Sequence, residues 1–472
     1  MNTHRNADGS PAVGAGRAPR PSPSLLVGFL VSVGLVGAVI GSLGAPLITA
    51  VAEAYRVSLV ASQWTLTIAL LAGAVATPVF GRLGAGPRRR GVVLWMLGAE
   101  VVGSLLTVLP LPFAFLLIGR ALQGSGLGLV VLMMAIACDH LDEHRATRTI
   151  ALLSVTTTAG IGIGYPLCGL LTDLAGVRTA YGLGLLITAA AFAAAFVVLP
   201  PAPDRPPARL DVRGAVLLAI ALPALLLVIG ETTLWTDHPA LAIIVLLAAV
   251  LLLIGWTFLE LRTEHPLVDI KLLRHPAVAA ANLVMLTGGV GMYLLFSLIT
   301  RYVQTPAPAG YGFGLNTFQA GLVLVPFSVL GFVAGRLVPQ WRERLGARLL
   351  LAASTAFVLV AFVLFALARS HLVEPIVAIG ILGFGVGAFS AAMPSVILAV
   401  TPKAETASAM SVNAVVRTVG FSTGSALGGL ILAVHTTGVF PHESGYGAAA
   451  WIGAAATAAT LLIIAVLPLG PR

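Results

Sequence analysis

The sequence predicts an all-α integral membrane protein: 14 transmembrane helices, arranged as two pseudo-repeated six-helix bundles plus two inserted helices. Three observations predict it. Mean hydropathy is +1.00, and of 472 residues 58% are hydrophobic and only 10% charged, against roughly 25% charged in a soluble domain. The apolar residues are gathered into long runs, and small-residue motifs recur in the same order about 260 positions apart. A net charge of +9 would point to nucleic acid in a soluble chain. In a membrane chain it bears on sidedness, and no nucleic-acid partner is expected. Cys138 and Cys168 are the only cysteines, so no disulfide framework is implied.

Residues 1–22 mix Gly, Pro, Ser and Arg with few large apolar side chains and read as a disordered cytoplasmic tail. The apolar run from Leu25 to Ala52 is far longer than the ~7–15 residues of a secretory signal core. From there the runs are 25–51, 60–80, 91–109, 112–137, 148–172, 179–199, 212–230, 239–259, 277–300, 316–335, 347–368, 373–399, 405–434 and 447–468. Each is long enough as a helix to cross ~30 Å of hydrocarbon. Pro223 interrupts the seventh, and the loop TPAPAGYGFGLN follows the ninth. The boundaries divide the chain into the tail, an N-terminal bundle at 23–200, the inserted pair at 201–262, and a C-terminal bundle at 263–472.

Charge sets the expected orientation. Of 27 Lys and Arg, only Arg56, Arg178, Arg301 and Arg369 fall on one side, Arg120 and Arg417 lie inside apolar runs, and the rest share the side of both termini. That bias places both ends in the cytoplasm.

The repeat rests on three matches. Gly160, Gly164, Cys168, Gly169 and Leu170 share their spacing with Gly420, Gly424, Gly428, Gly429 and Leu430; the four-residue steps stack small residues on one helix face, where another backbone can approach. The triplet GRL ends both the second run (81–83) and the tenth (335–337), and Gly124, Gly126 and Gly128 correspond to Gly383, Gly385 and Gly387. Such seams serve either sliding between helices or static close packing.

With this plan, the chain resembles the major facilitator superfamily and, more narrowly, its fourteen-helix drug:proton antiporter branch (multidrug efflux type). The resemblance is carried by SQWTLTIALL at 62–71, GRLGAGPRRR at 81–90, LLIGRALQGSG at 116–126, the stretch from Gly160 through Pro166 to Gly169, EHPLVDIKLLRHP at 264–276 and AGLVLVPFSVLGFVAGRL at 320–337. It implies a gating role for Gly81, Arg88, Arg89 and Arg90, and help with proton transfer from Arg120. There are departures. Ala85 stands where the loop's acid is usual and Arg88 where Gly is; Tyr165 replaces a Pro that is displaced to Pro166; Cys168 replaces the first Gly of a pair; Gly37 stands nine residues before Pro46, where an acid is common.

Two ionisable residues stand out at mid-membrane depth. Glu100 and Arg120 each lie ten residues from Pro110, so an antiparallel helix pair brings both ~15 Å below the surface. Two roles fit them: Glu100 exchanging its proton while paired with Arg120, in place of the missing acid of helix one, or a permanent structural pair. Asn413 and Arg417, one turn apart, either contact a polar or anionic part of a substrate or tie Arg417 to backbone carbonyls. Gln63, Gln123, Met292, Tyr293 and Phe296 are candidates for lining an apolar pocket, with core or lipid packing as the alternative.

The nine His show no metal-ligand spacing, and no Gly-rich loop ends in Lys-Ser or Lys-Thr for nucleotide. No enzyme activity and no cofactor are expected. By resemblance the energy source is a proton gradient, the partners are a small-molecule substrate, protons and the lipid bilayer, the state is monomeric, and the location is the bacterial plasma membrane. Export of apolar or amphiphilic drug-like or antibiotic-like molecules is the implied function. Uncoupled or uptake transport of a small solute, and a transport-inactive membrane sensor, are the alternatives.

Overall fold

The computed structural model describes residues 22–43, 47–57, 59–84, 86–201, 210–230, 232–264, 266–267, 270–399, 401, 406–436 and 440–467. The tail up to residue 21, Pro46, Ala85, Glu231 and the side chain of Gln63 lie outside the described residues. Among those described the chain is helical, with an isolated bridge between Thr436 and Pro441 as its only β pairing.

In chain order the helices are α1 (Pro23–Ser42), α2 (Ile48–Tyr55), α3 (Leu59–Leu83), α4 (Arg89–Val108), α5 (Phe113–Ser125), α6 (Leu129–His140), α7 (Glu143–Ala175), α8 (Val177–Val198), α9 (Val212–Gly230), α10 (Thr232–Asp237), α11 (Pro239–Arg262), α12 (Pro276–Gln304), α13 (Thr317–Val323), α14 (Val325–Leu367), α15 (Val373–Leu398), α16 (Thr406–Val434) and α17 (Glu443–Val466). Local chemistry sets several starts. Pro23, Pro239 and Pro276 occupy first-turn positions, where no intrahelical donor is needed. Asp142 accepts from the Arg145 amide at 2.9 Å, and Asn316 and Gln319 form a reciprocal capping box.

Twelve stretches among the described residues are long and apolar enough to cross a membrane. One of them, Phe318–Leu367, is 50 residues long, and Gly346 inside it has a φ of 75° that no helix contains. Three runs expected to be continuous are interrupted. The first stops at Ser42 and resumes at Ile48, and the tenth breaks at Leu324 because Pro326 begins a new helix. The fourth contains a 3-10 turn at Gly126–Gly128, where closely spaced glycines weaken helix propensity.

The solvent for this fold is hydrocarbon, and burial is inverted accordingly. On α11 the buried residues are Ala242, Ala249 and Glu260, while Ile244, Leu247, Leu251 and Phe258 face outward. Buried hydroxyls on the helices turn back to their own backbone: Ser154, Thr355 and Thr457 each donate to the carbonyl four residues earlier at 2.8 Å.

Glycine seams determine which helices meet. On α7, Gly160 and Gly164 lie against Ala38 and Ser42 of α1, and Ser42 donates to the Gly160 carbonyl at 3.2 Å. Its opposite face carries Gly162 against Ser328, Pro166 against Gly321, and Gly169 against Phe318. Gly169 therefore faces away from the partner of Gly160 and Gly164. On α16, Gly420 and Gly424 sit on the Leu286 and Val290 carbonyls of α12, and Gly428 meets Leu294. Another face of α16 places Val412 in a cluster with Ala74 of α3 and Leu218, Leu222 and Leu226 of α9.

A methyl group at Gly424 would overlap the Val290 carbonyl, whereas one at Gly428 would meet only the flexible Leu294 side chain, at 3.0 Å. Gly424→Ala is expected to cost about 1–3 kcal/mol and Gly428→Ala less than about 0.5 kcal/mol. Thermal unfolding in detergent, followed by circular dichroism, tests this; equal midpoints for the two variants would refute the seam.

Candidate functional site

Arg120 on α5 has no exposed surface. A guanidinium does not shed its proton, so its charge must be met where it stands. Nε donates to the Thr65 carbonyl of α3 at 2.9 Å, and Nη1 donates to the Ile40 carbonyl of α1 at 3.1 Å and to Gln123 Oε1 at 2.8 Å. Gln123 Nε2 donates to Ser104 Oγ of α4 at 2.9 Å, and Thr188 Oγ1 of α8 donates to the same oxygen at 3.4 Å. One chain of hydrogen bonds thus joins α1, α3, α4, α5 and α8. Gln123, expected as a pocket side chain, holds Arg120, and the two line a small cavity together with Ile40, Leu66, Ala69, Leu70 and Leu127.

Glu100 on α4 is also fully buried, but neither carboxyl oxygen has a hydrogen-bond partner. The ion pair with Arg120 expected from their equal distances to Pro110 is not formed. The linker Leu109–Pro112 shifts the register. Gly103 lies against Gly119, a Cβ on either falling 2.6 Å from the other's carbonyl, and Ser104 meets Gln123. That register sets Glu100 against Gly126, in the 3-10 turn, instead of against Arg120. The far side of Gly126 faces α1: a Cβ on Gly37 would lie 3.7 Å from its carbonyl oxygen. Equal spacing from the turn did not fix the register, which sets Glu100 about six residues further along the chain than Arg120.

The basic loop is arranged differently from expectation. Arg89 is buried; it donates from Nε to the Gly84 carbonyl at 2.5 Å and pairs through Nη1 with Asp139 at the end of α6. Arg90 donates to the Phe196 carbonyl of α8 at 2.8 Å, Arg88 is exposed, and Gly81 is buried in α3. Asp139 was missed by sequence reasoning. Its signal was an acid at the end of the fourth apolar run, on the side of the basic loop.

In the C-terminal part, Asn413 of α16 donates to Asn282 of α12 at 3.3 Å, and Asn282 donates to the Val278 carbonyl at 2.9 Å. Tyr293 stacks on Phe421 with ring centres 5.2 Å apart, Phe296 lies 5.6 Å from Tyr293, and Phe327 lies 5.1 Å from Phe296. The structure therefore brings Tyr293 and Phe296 together and adds Phe327 and Phe421, which sequence reasoning did not single out. Met292 is buried in the core. Arg417 is half-buried, and no described residue accepts a hydrogen bond from its guanidinium; the expected carbonyl contacts are not made. A cavity of about 430 Å³, lined by Arg301, Gln304, Thr305, Leu432, Pro441 and Tyr446, opens at the C-terminal end of α12, away from these groups.

The family model described as the Major Facilitator Superfamily matches residues 25–424. The chain belongs to the Major Facilitator Superfamily. It is therefore a multi-pass membrane transporter of a small molecule and not an enzyme. Similar proteins include the uncharacterized MFS-type transporter YvkA of Bacillus subtilis (strain 168), 26% identical over 85% of this chain and 90% of that protein. The drug efflux pump JefA of Mycobacterium tuberculosis is 27% identical over 72% of this chain and 66% of the pump. A multidrug resistance protein B homolog from the same species is 27% identical over 70% of this chain, but the match spans only 61% of its length. The fold is shared with the human organic anion transporter MFSD10 at a TM-score of 0.67 and 15% identity, covering 94% of this chain and 100% of that one. An auto inhibited POT family peptide transporter matches at 0.60 and 16%, covering 93% and 97%.

The Arg89–Asp139 pair makes a separable prediction. Asp139→Asn removes the charge that Arg89 faces while nearly buried, and is expected to cost about 1.5–3 kcal/mol. Arg88→Ala, on an exposed side chain, is expected to stay within about 0.5 kcal/mol. Chemical unfolding in mixed micelles compares the two, and an indifferent Asp139→Asn would show that the pair is ornamental.

Proposed function

We propose that this transporter exports apolar or amphiphilic drug-like molecules across the plasma membrane in exchange for protons, by alternating access. Fourteen crossings with both termini cytoplasmic fit that reading. Dividing the 50-residue stretch at Gly346 and adding the 33-residue α7 brings the twelve apolar stretches to fourteen. The two-bundle repeat is supported by a parallel in packing: α7 joins α1 to α14, and α16 joins α12 to α3. The efflux relatives support the drug class.

The observation that carries proton coupling is the solitary Glu100 carboxyl. A charged carboxylate at this depth needs donors, and Glu100 has none. Taking up a proton removes that cost, and losing it drives the group toward water. The carboxyl is seated on Gly126, in the one irregular turn between α5 and α6. A change in its charge therefore acts where the helix is weakest, beside Gly37 of α1 and one turn from Gln123, which fixes Arg120. Arg120 in this scheme is the fixed positive charge that keeps the surrounding helices in register.

Proton movement in liposomes containing the purified protein, under an inside-acid gradient, tests the proposal. Amphiphilic compounds added singly are expected to dissipate the gradient, and Glu100→Gln to abolish that response at every pH while leaving compound binding intact. An unaltered pH response in Glu100→Gln would remove Glu100 as the carrier. Gly37, where an acid is usual, favours a second reading, uncoupled passage of a small solute. Compound uptake without proton movement would identify it.

A further inference from the structure

Among the described residues, Arg417 has no counter-charge. It stands eleven residues into α16, roughly 16 Å along the helix axis, far from either end. Asn413, Arg417 and Phe421 follow at four-residue steps and so form one stripe. The two ends of the stripe are tied to α12: Asn413 to Asn282 by the amide hydrogen bond, and Phe421 to Tyr293 by stacking. Between those ties α12 presents Gly289, whose missing side chain faces Phe421, Gly420 and the Arg417 backbone.

Among the described residues, no acidic side chain pairs with Arg417. The helices α3, α12 and α16 contain neither Asp nor Glu. On the neighbouring elements, Asp139 of α6 pairs with Arg89, Glu443 of α17 pairs with Arg369, and Glu374 accepts from the His371 amide at the first turn of α15. A permanently charged, half-buried guanidinium at this depth is costly unless an anion meets it. On the same stripe of α16, Phe421 stacks on Tyr293 one turn after Arg417, and Asn413 bonds Asn282 one turn before it.

We infer that Arg417 is a specificity residue that selects amphiphilic anions: molecules with one carboxylate or comparable acidic group joined to a flat apolar body. The acidic group takes the fork of the guanidinium, and the ring system lies against the Tyr293–Phe421 stack. The assignment rests on the transport reading above only in taking the surroundings of Arg417 as the cargo site. Head groups of lipids stay near the membrane surfaces, so the anion that reaches Arg417 is a ligand carried in by its apolar body.

Equilibrium binding by calorimetry, with the full-length protein in detergent, decides the matter. The probes are 2-naphthylacetate, its uncharged methyl ester, and 2-naphthylethylammonium. The wild-type protein is expected to bind the acetate at least about tenfold more tightly than either analogue. Arg417→Gln should bring the acetate down to the level of the ester and leave the ester unchanged. Arg417→Lys, which keeps the charge without the fork, should retain part of the preference and guards against a folding defect in the first variant. An equal loss for all three probes, an anion preference that survives Arg417→Gln, or no binding of the acetate would overturn the assignment. Detergent binding needs no gradient. Anion selectivity without compound-driven proton movement would keep this assignment while removing antiport.

Discussion

A guanidinium in hydrocarbon can neither give up its proton nor remain bare, and the N-terminal part of this transporter is arranged around that constraint. Arg120 draws carbonyl oxygens from α1 and α3 and an amide oxygen from its own helix. To lend its carbonyl, each donor helix must come close. For α3, that approach runs through the close contact of Gly124 with Ala69. The charge and the small residue are thus two sides of one requirement. Without Gly124 the α3 carbonyl is out of reach; without the arginine the network loses its centre, and Gln123 and Ser104 are left to find other partners.

The same economy explains why α7 and α16 matter. Each carries its small residues where other helices carry bulk, so backbone meets backbone and little apolar surface is left to grip. Packing of that kind resists separation through dispersion and hydrogen bonding, since hydrocarbon outside is as apolar as leucine inside. It also leaves few interlocking side chains to prevent sliding along the helix axis. α7 is small-faced on two opposite sides, toward α1 and toward α13 and α14, and packs closely against both.

Much of this was legible in the sequence, for physical reasons. Apolar length specifies crossings because backbone polar groups have no other way to be satisfied, and the runs read from composition are largely helical among the described residues, with breaks in the first, fourth and tenth. The spacing of Gly160 and Gly164, and of Gly420 and Gly424, correctly announced close helix contacts. What failed was direction and register. Glu100 and Arg120 are equally far from Pro110, yet the register across the Leu109–Pro112 linker sets Glu100 against Gly126. Gly169 lies on the far side of α7 from Gly164 because the helix has turned through half a circle between them. Gln123 reads as a free amide until Arg120 claims it. Asp139 and Phe421 escaped notice because their roles depend on partners 50 and 128 residues away in the chain, a relation that no local pattern encodes.

The helix α11 has a consequence of a different kind. Its 24 residues span about 36 Å at 1.5 Å per residue, more than the ~30 Å of a typical hydrocarbon layer. It buries little besides alanines, and α9 is its principal neighbour. Such a rod must lean to hide its surplus length, and how far it leans depends on bilayer thickness. A helix of that length leans further in thin bilayers and stands straighter in thick ones.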